Sequence, residues 1–123
     1  MSDAIARLMH QNLMAVFNER DEVKRRMAID STYTADVRWT DAEGVTTGRE
    51  ALEAKCAALQ SGLGDLQFEP DGSVHELPGF AHLAWKLVNP ADGQIQMSGF
   101  DAVLVEDGLI SDLWTVLIPP TGA

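Results

Sequence analysis

At Leu66 the apolar pattern of the chain changes period, from helical spacing before it to strand alternation after it. Side chains recur on one face every 3.6 residues in a helix and every second residue in a strand, so this switch assigns helices to the first half and a sheet to the second. Helices first and strands after define an α+β fold, not a parallel α/β sheet. The 123 residues suit one domain, spanning 1–123, around one core.

In the first half, Ile5, Leu8, Met9, Leu13, Val16 and Phe17 mark one face of a helix over 3–18, with Ser2 or Asp3 as its cap. Asn18-Glu19-Arg20-Asp21 interrupts the pattern. Asp21 then caps a second helix whose apolar members are Val23, Met27 and Ile29. Within it, Lys24-Arg25-Arg26 lies among acidic residues and reads as a solvated face. Val37-Arg38-Trp39-Thr40 reads as a short strand, and Asp41-Ala42-Glu43-Gly44 as the turn after it. Thr47 and Glu50 fit a capping box for a third helix, which turns Leu52, Cys56, Leu59 and Leu63 inward.

In the second half, segments 66–69, 73–77, 80–88, 94–106 and 109–118 are joined by Pro-, Asn-, Asp- and Gly-rich turns, the pattern of an antiparallel meander. In 80–88 the better core face carries Ala81, Leu83, Trp85 and Leu87, which leaves His82 and Lys86 outside. In 94–106 the inner face carries Ile95, Met97, Gly99, Asp101, Val103 and Val105. Segment 109–118 is apolar on both faces, as a doubly covered strand is. Three helices cover one face, so a second subunit on the outer sheet face is the expected cover, making a homodimer.

Charge narrows the partners. A formal net charge of −10 opposes nucleic acid and anionic membranes, both of which need clustered Lys and Arg. No apolar run reaches the ~20 residues of a membrane span, and the N-terminal segment has no secretory pattern. Cys56 is the single cysteine, which suits a reducing cytoplasm. His10, His75 and His82 have no metal-ligand spacing, so no metal site is expected.

Two carboxylates could carry chemistry. Asp101 is the lone acid on an apolar strand face, where burial raises a carboxyl pKa towards neutrality. Asp41 ends the strand that carries Val37 and Trp39 and faces the same way. Tyr33, Trp39 and Trp85 are candidates to line a pocket beside them, with Met97 and Leu13.

The order of the helix, Asn18-Glu19-Arg20-Asp21, Ala35-Asp36-Val37-Arg38-Trp39, Thr47-Gly48-Arg49-Glu50-Ala51-Leu52, Ser98-Gly99-Phe100-Asp101 and Glu106-Asp107-Gly108-Leu109-Ile110 resembles that of the SnoaL-like domains. These belong to the superfamily of nuclear transport factor two and ketosteroid isomerase. The resemblance implies a cystatin-like cone, a curved antiparallel sheet wrapped on three helices around a pocket for an apolar small molecule, commonly dimeric through the sheet. It matches Asp41 to the isomerase's general base and Asp101 to the protonated aspartate of its oxyanion hole. Leu13 stands where that isomerase has a tyrosine.

The resemblance thus implies a cofactor-free acid/base isomerase or cyclase acting on a carbonyl compound. The alternatives are a non-catalytic ligand-binding domain and a dimerisation domain of the same fold. Two or more ionisable groups converging inside the cone favour the enzyme; Asp101 alone favours binding; a pocket filled by Trp39, Trp85 and Tyr33 favours dimerisation.

Overall fold

The computed structural model describes residues 2–119. Three helices, α1 (Ser2–His10), α2 (Glu22–Thr32) and α3 (Arg49–Leu63), pack on a seven-stranded sheet. The strands are β1 (Tyr33–Asp41), β2 (Gly44–Thr47), β3 (Gln67–Pro70), β4 (His75–Leu77), β5 (Phe80–Val88), β6 (Ile95–Glu106) and β7 (Leu109–Ile118). Their order is β2-β1-β7-β6-β5-β3, with β4 also paired to β5. The core between helices and sheet includes Met9, Leu52, Leu83, Val103 and Leu113, all fully buried.

The sheet is mixed, which corrects the expectation of an antiparallel one. β3 to β7 form the antiparallel meander, but β1 runs parallel to β7, with Trp39 opposite Leu113. Hairpin turns announce antiparallel neighbours only. β1 and β7 are joined by most of the chain, and no local signal sets their relative direction.

Other elements also differ from the sequence reading. The first helix changes at Gln11 into a π-helical segment, Gln11–Phe17, where Asn18 N–H reaches back to Leu13 C=O at 3.1 Å. Its expected cap at Ser2 or Asp3 lies outside the described side chains. Asp21 does cap α2, accepting from Lys24 N–H at 3.1 Å. The face of α2 that meets the core carries Arg25, Ile29 and Thr32, however, while Val23 and Met27 are exposed.

Arg25 is therefore not solvated. Its guanidinium forms a fork on Glu53 of α3, at 2.5 and 2.6 Å, and donates to Gln60 Oε1 at 2.8 Å. With a further donation to the Glu19 carbonyl at 2.9 Å, this is a bidentate pair with added hydrogen bonds, the arrangement in which a buried guanidinium is tolerated.

The turn after Asp41 closes a hairpin that the sequence reading missed, β1–β2, with Arg38 opposite Thr47. Thr47 is thus a strand residue and caps nothing. Gly48, at φ 92°, takes the cap position of α3, a backbone state that glycine adopts without steric cost. Glu50 pairs instead with Arg26 at 2.9 Å.

In β7 the pairing jumps from Leu104–Asp112 to Val105–Ile110, leaving Ser111 as a bulge. The extra residue reverses the alternation, so Ile110 and Leu113 are both fully buried although their parity differs. The outer face keeps Trp114, Val116 and Ile118, and the last two are 42% and 43% exposed.

Candidate functional site

Between the helices and the concave side of the sheet lies a cavity of about 560 Å³. Leu13, Phe17, Trp39, Phe68, Trp85 and Met97 supply much of its apolar wall. Its ionisable lining is Asp101, Asp41, Glu43 and Lys55. Of the candidate ligand-contacting residues, Leu13, Trp39, Trp85 and Met97 reach the cavity. Tyr33 does not line it; the residue is fully buried behind it.

Asp101 sits mid-strand on β6 and is 3% exposed. Three donors converge on it. Asn12 Nδ2 donates to Oδ2 at 2.7 Å, and the Thr115 hydroxyl and Trp85 Nε1 donate to Oδ1 at 2.9 and 3.2 Å. Burial pushes the carboxyl up to about 6, against the opposing pull of the Thr115, Trp85 and Asn12 hydrogen bonds.

Each donor is held in turn. Trp39 Nε1 donates to the Thr115 hydroxyl at 3.0 Å, which frees the hydroxyl hydrogen for Asp101. Tyr33 Oη donates to Asn12 Oδ1, which turns the amide nitrogen of Asn12 to Asp101. The Trp85 indole lies across Gly99, its partner on β6. A Cβ at Gly99 would stand 2.7 Å from the indole Cζ2 and 2.3 Å from Val116 C=O, so no larger residue fits there without displacement. Burial, with the Cys56 and Asp101 charges adding to it, raises the Tyr33 phenol well above its usual pKa, so it keeps its proton.

At the other end of the wall, Asp41 accepts from Glu43 N–H at 2.9 Å and forms an ion pair with Lys55. The Lys55 ammonium also lies 3.4 Å from Glu43 Oε1 and 4.7 Å from the centre of the Trp39 ring. Burial works against its charge, but hydrogen bonding and charge pairing with Asp41, aided by Glu43, outweigh it and raise its pKa. The ammonium is therefore a fixed positive charge on a wall that otherwise carries carboxylates.

Chemically, such an arrangement can take a proton onto a near-neutral carboxyl and hold a substrate oxygen by an ammonium. Among the described residues, no group of three or more His, Cys, Asp or Glu side chains is placed to hold a metal. Nor is any described helix long and apolar enough to cross a membrane. Cys56 is fully buried on α3, and burial pushes its thiol up to about 12, which leaves it a packing residue.

The sequence reading missed Asn12, Lys55 and Thr115. Asn12 and Lys55 occupy apolar-face positions of their helices, at i+3 from Met9 and from Leu52, and a polar residue in such a stripe is the available signal. Arg49 opens α3, where a nearby acid is its expected partner. It does approach Asp30, at 3.8 Å, but its main bonds are to the Tyr33 carbonyl, at 2.7 and 3.1 Å, where α2 gives way to β1.

Residues 10–113 match the SnoaL-like domain, and the chain belongs to that family. A protein from Agrobacterium tumefaciens strain C58, provisionally described as an isomerase of the SnoaL-like family, is similar over 97% of this chain and 100% of its own, at 22% identity and a TM-score of 0.86. One from Jannaschia sp. CCS1, provisionally a SnoaL-like polyketide cyclase, is similar over 94% and 83%, at 15% identity and a TM-score of 0.73. One from Kribbella flavida DSM 17836, provisionally a ketosteroid isomerase, is similar over 98% and 84%, at 19% identity and a TM-score of 0.70. Two further similar structures are described as cystatin-like, the α+β architecture expected from the sequence. At these identities the likeness establishes the fold alone. No curated protein matches the chain.

Proposed function

We propose that this chain is an acid/base enzyme that moves a proton at carbon next to the carbonyl of a small apolar compound, in an isomerisation or a ring closure. The observation that carries this reading is Asp101, a buried carboxyl near neutral pKa, on an apolar cavity that also holds the Asp41–Lys55 pair. Several ionisable groups share one cavity, and about 560 Å³ stays open between the aromatics. The ionisable groups favour an enzyme over a passive binding domain, and the open volume favours it over a dimerisation domain with a filled pocket.

The roles follow from the hydrogen bonds. Three donors point at Asp101, which suits a carboxylate that accepts a proton better than a carboxylic acid that donates one. Asp41 is engaged with Lys55 and the Glu43 backbone. This supports the reverse of the division implied by the match to the isomerase: Asp101 is the base, and Asp41 positions Lys55. The ammonium has three hydrogens, of which Asp41 and Glu43 take two, so one remains for a carbonyl oxygen that gains negative charge. With Leu13 on the wall in place of a tyrosine, Lys55 is the donor proposed to take up that role.

The test is exchange of acidic C–H hydrogens in deuterated buffer, followed by NMR over a panel of apolar ketones. Enzyme-dependent exchange with at least one member supports the reading. Tight binding of a ketone with no exchange supports the binding domain.

We also propose that a second copy of the chain covers the outer sheet face. Leu104, Val116 and Ile118 are exposed there beside Phe100 and Trp114. Two chains of charge −10 repel, and a contact through this mainly apolar strip, where Asp112 opposite Leu104 is paired with Arg38 at 3.1 Å, limits that repulsion.

A further inference from the structure

Asn12 and Tyr33 do not line the cavity of the candidate site, yet both are essentially fully buried, and together they form a two-link chain to Asp101. We infer that Tyr33 and Asn12 are positioning residues: the Tyr33 hydroxyl fixes the orientation of the Asn12 carboxamide, and that orientation sets the protonation state the site holds at Asp101.

A carboxamide has a donor end and an acceptor end, and a half-turn exchanges them. With Asn12 Nδ2 towards Asp101 at 2.7 Å, the site presents an N–H and suits a carboxylate. With the amide reversed, Oδ1 would face Asp101, and only the protonated acid could satisfy it. The two orientations therefore belong to two proton states of Asp101.

Tyr33 decides between them. Its hydroxyl hydrogen must find an acceptor, because an unpaired buried donor is costly. Among the described contacts that acceptor is Asn12 Oδ1. Reversing the amide would remove it and leave the phenol hydrogen unpaired. Ionising the phenol is no escape, since its proton is held more tightly than usual. The hydroxyl thus favours the amide orientation that suits the Asp101 carboxylate.

No charged side chain is hydrogen-bonded to Asp101 among the described residues. From β5 it meets Trp85, from β7 Thr115, and from the π-helical segment Asn12. The other ionisable groups around the cavity are Asp41 and Glu43 near the β1–β2 turn and Lys55 on α3; Cys56 on α3 lies in the buried core. None of these touches Asn12 or Tyr33 by a hydrogen bond, so the relay can be altered without disturbing them.

The experiment is an NMR titration of the carboxyl carbon of Asp101 in the whole protein, and it needs no substrate. Its failure and the failure of the enzymatic reading are therefore separate results. In the wild type the midpoint is expected at about 6. Tyr33→Phe deletes one oxygen and is expected to raise the midpoint by about one pH unit, because the amide is freed to reverse. Asn12→Ala is expected to raise it at least as far. The double variant is expected to match Asn12→Ala alone, because Tyr33 acts only through Asn12.

An unchanged midpoint in Tyr33→Phe overturns the inference. So does a double variant whose shift is the sum of the two single shifts, since independent effects add. If either variant fails to fold, the wild type still decides: the side-chain amide resonances of Asn12 must titrate with the Asp101 midpoint. Amide resonances that do not move across that range overturn the inference as well.

Discussion

The Thr115 hydroxyl donates to Asp101 Oδ1 at 2.9 Å while accepting from the Trp39 indole at 3.0 Å. One small side chain on β7 thereby connects the cavity's aromatic wall on β1 to its buried carboxyl on β6. Thr115→Val keeps the shape and removes both bonds. The change leaves the Trp39 N–H unpaired, and losing the partner of a buried donor costs about 1–3 kcal/mol. Urea unfolding should show a loss in that range, and carboxyl NMR should show the Asp101 midpoint moving up, because a donor that lowered it is gone.

Asp101 also makes stability depend on pH with a defined sign. Its pKa is raised in the folded state from 3.8 to about 6, so folding takes up a proton at intermediate pH. The stabilisation from this group is fully present below the unfolded value and is lost as pH rises through about 6. The total is about 3 kcal/mol at 1.36 kcal/mol per pH unit. Asp101→Asn has no such term. The stability of the variant relative to the wild type should therefore rise between pH 4 and pH 7, by an amount of that order, in denaturant unfolding at a series of pH values. A relative stability that stays flat would mean that Asp101 is not desolvated.

The buried Arg25–Glu53 pair should behave as an all-or-none unit. Arg25→Met strands the Glu53 carboxylate and is expected to cost about 3–5 kcal/mol. Adding Glu53→Leu should recover most of that loss, because two apolar side chains of similar bulk replace both charges. Thermal or urea unfolding of the three proteins checks this.

The outer face of β6 and β7 should bind a second copy. Sedimentation at micromolar concentration is expected to give a dimer for the wild type and a monomer for Trp114→Asp, with the circular dichroism spectrum unchanged. A wild-type monomer would refute the proposed covering of that face.

The sequence revealed the architecture where the signals were local. The period change at Leu66 and the turns at Asp71-Gly72 and Asp107-Gly108 place β3 to β7 within a residue or two. What it hid depends on partners distant in the chain. The parallel pairing of β1 with β7 joins Trp39 to Leu113 across most of the sequence. The bulge at Ser111 has no composition marker, so simple alternation put Ile110 and Leu113 on opposite faces although both are buried. Asp101 was legible because a lone acid on an apolar strand face stands out. Asn12, Lys55 and Arg25 were not, because each is a polar residue on an inward helix face, where its meaning lies in Asp101, Asp41 and Glu53. Asp41 was legible as a cavity residue, but its ion pair with Lys55 was not, because the two sit on different elements.

If Asp101 is the base, the pH dependence of C–H exchange belongs to its carboxyl. With any apolar ketone that exchanges, the rate should rise with pH, reach half its plateau at about 6 and level off above, matching the midpoint read from the Asp101 carboxyl resonance. Asp101→Asn should lower exchange by about 10²–10⁴-fold, the usual contribution of a positioned acid or base. Asp41→Asn should lower it less, because it loosens Lys55 without removing the base. Exchange that persists in Asp101→Asn, or is abolished by Asp41→Asn alone with the ketone still bound, would contradict the assignment and make Asp41 the base.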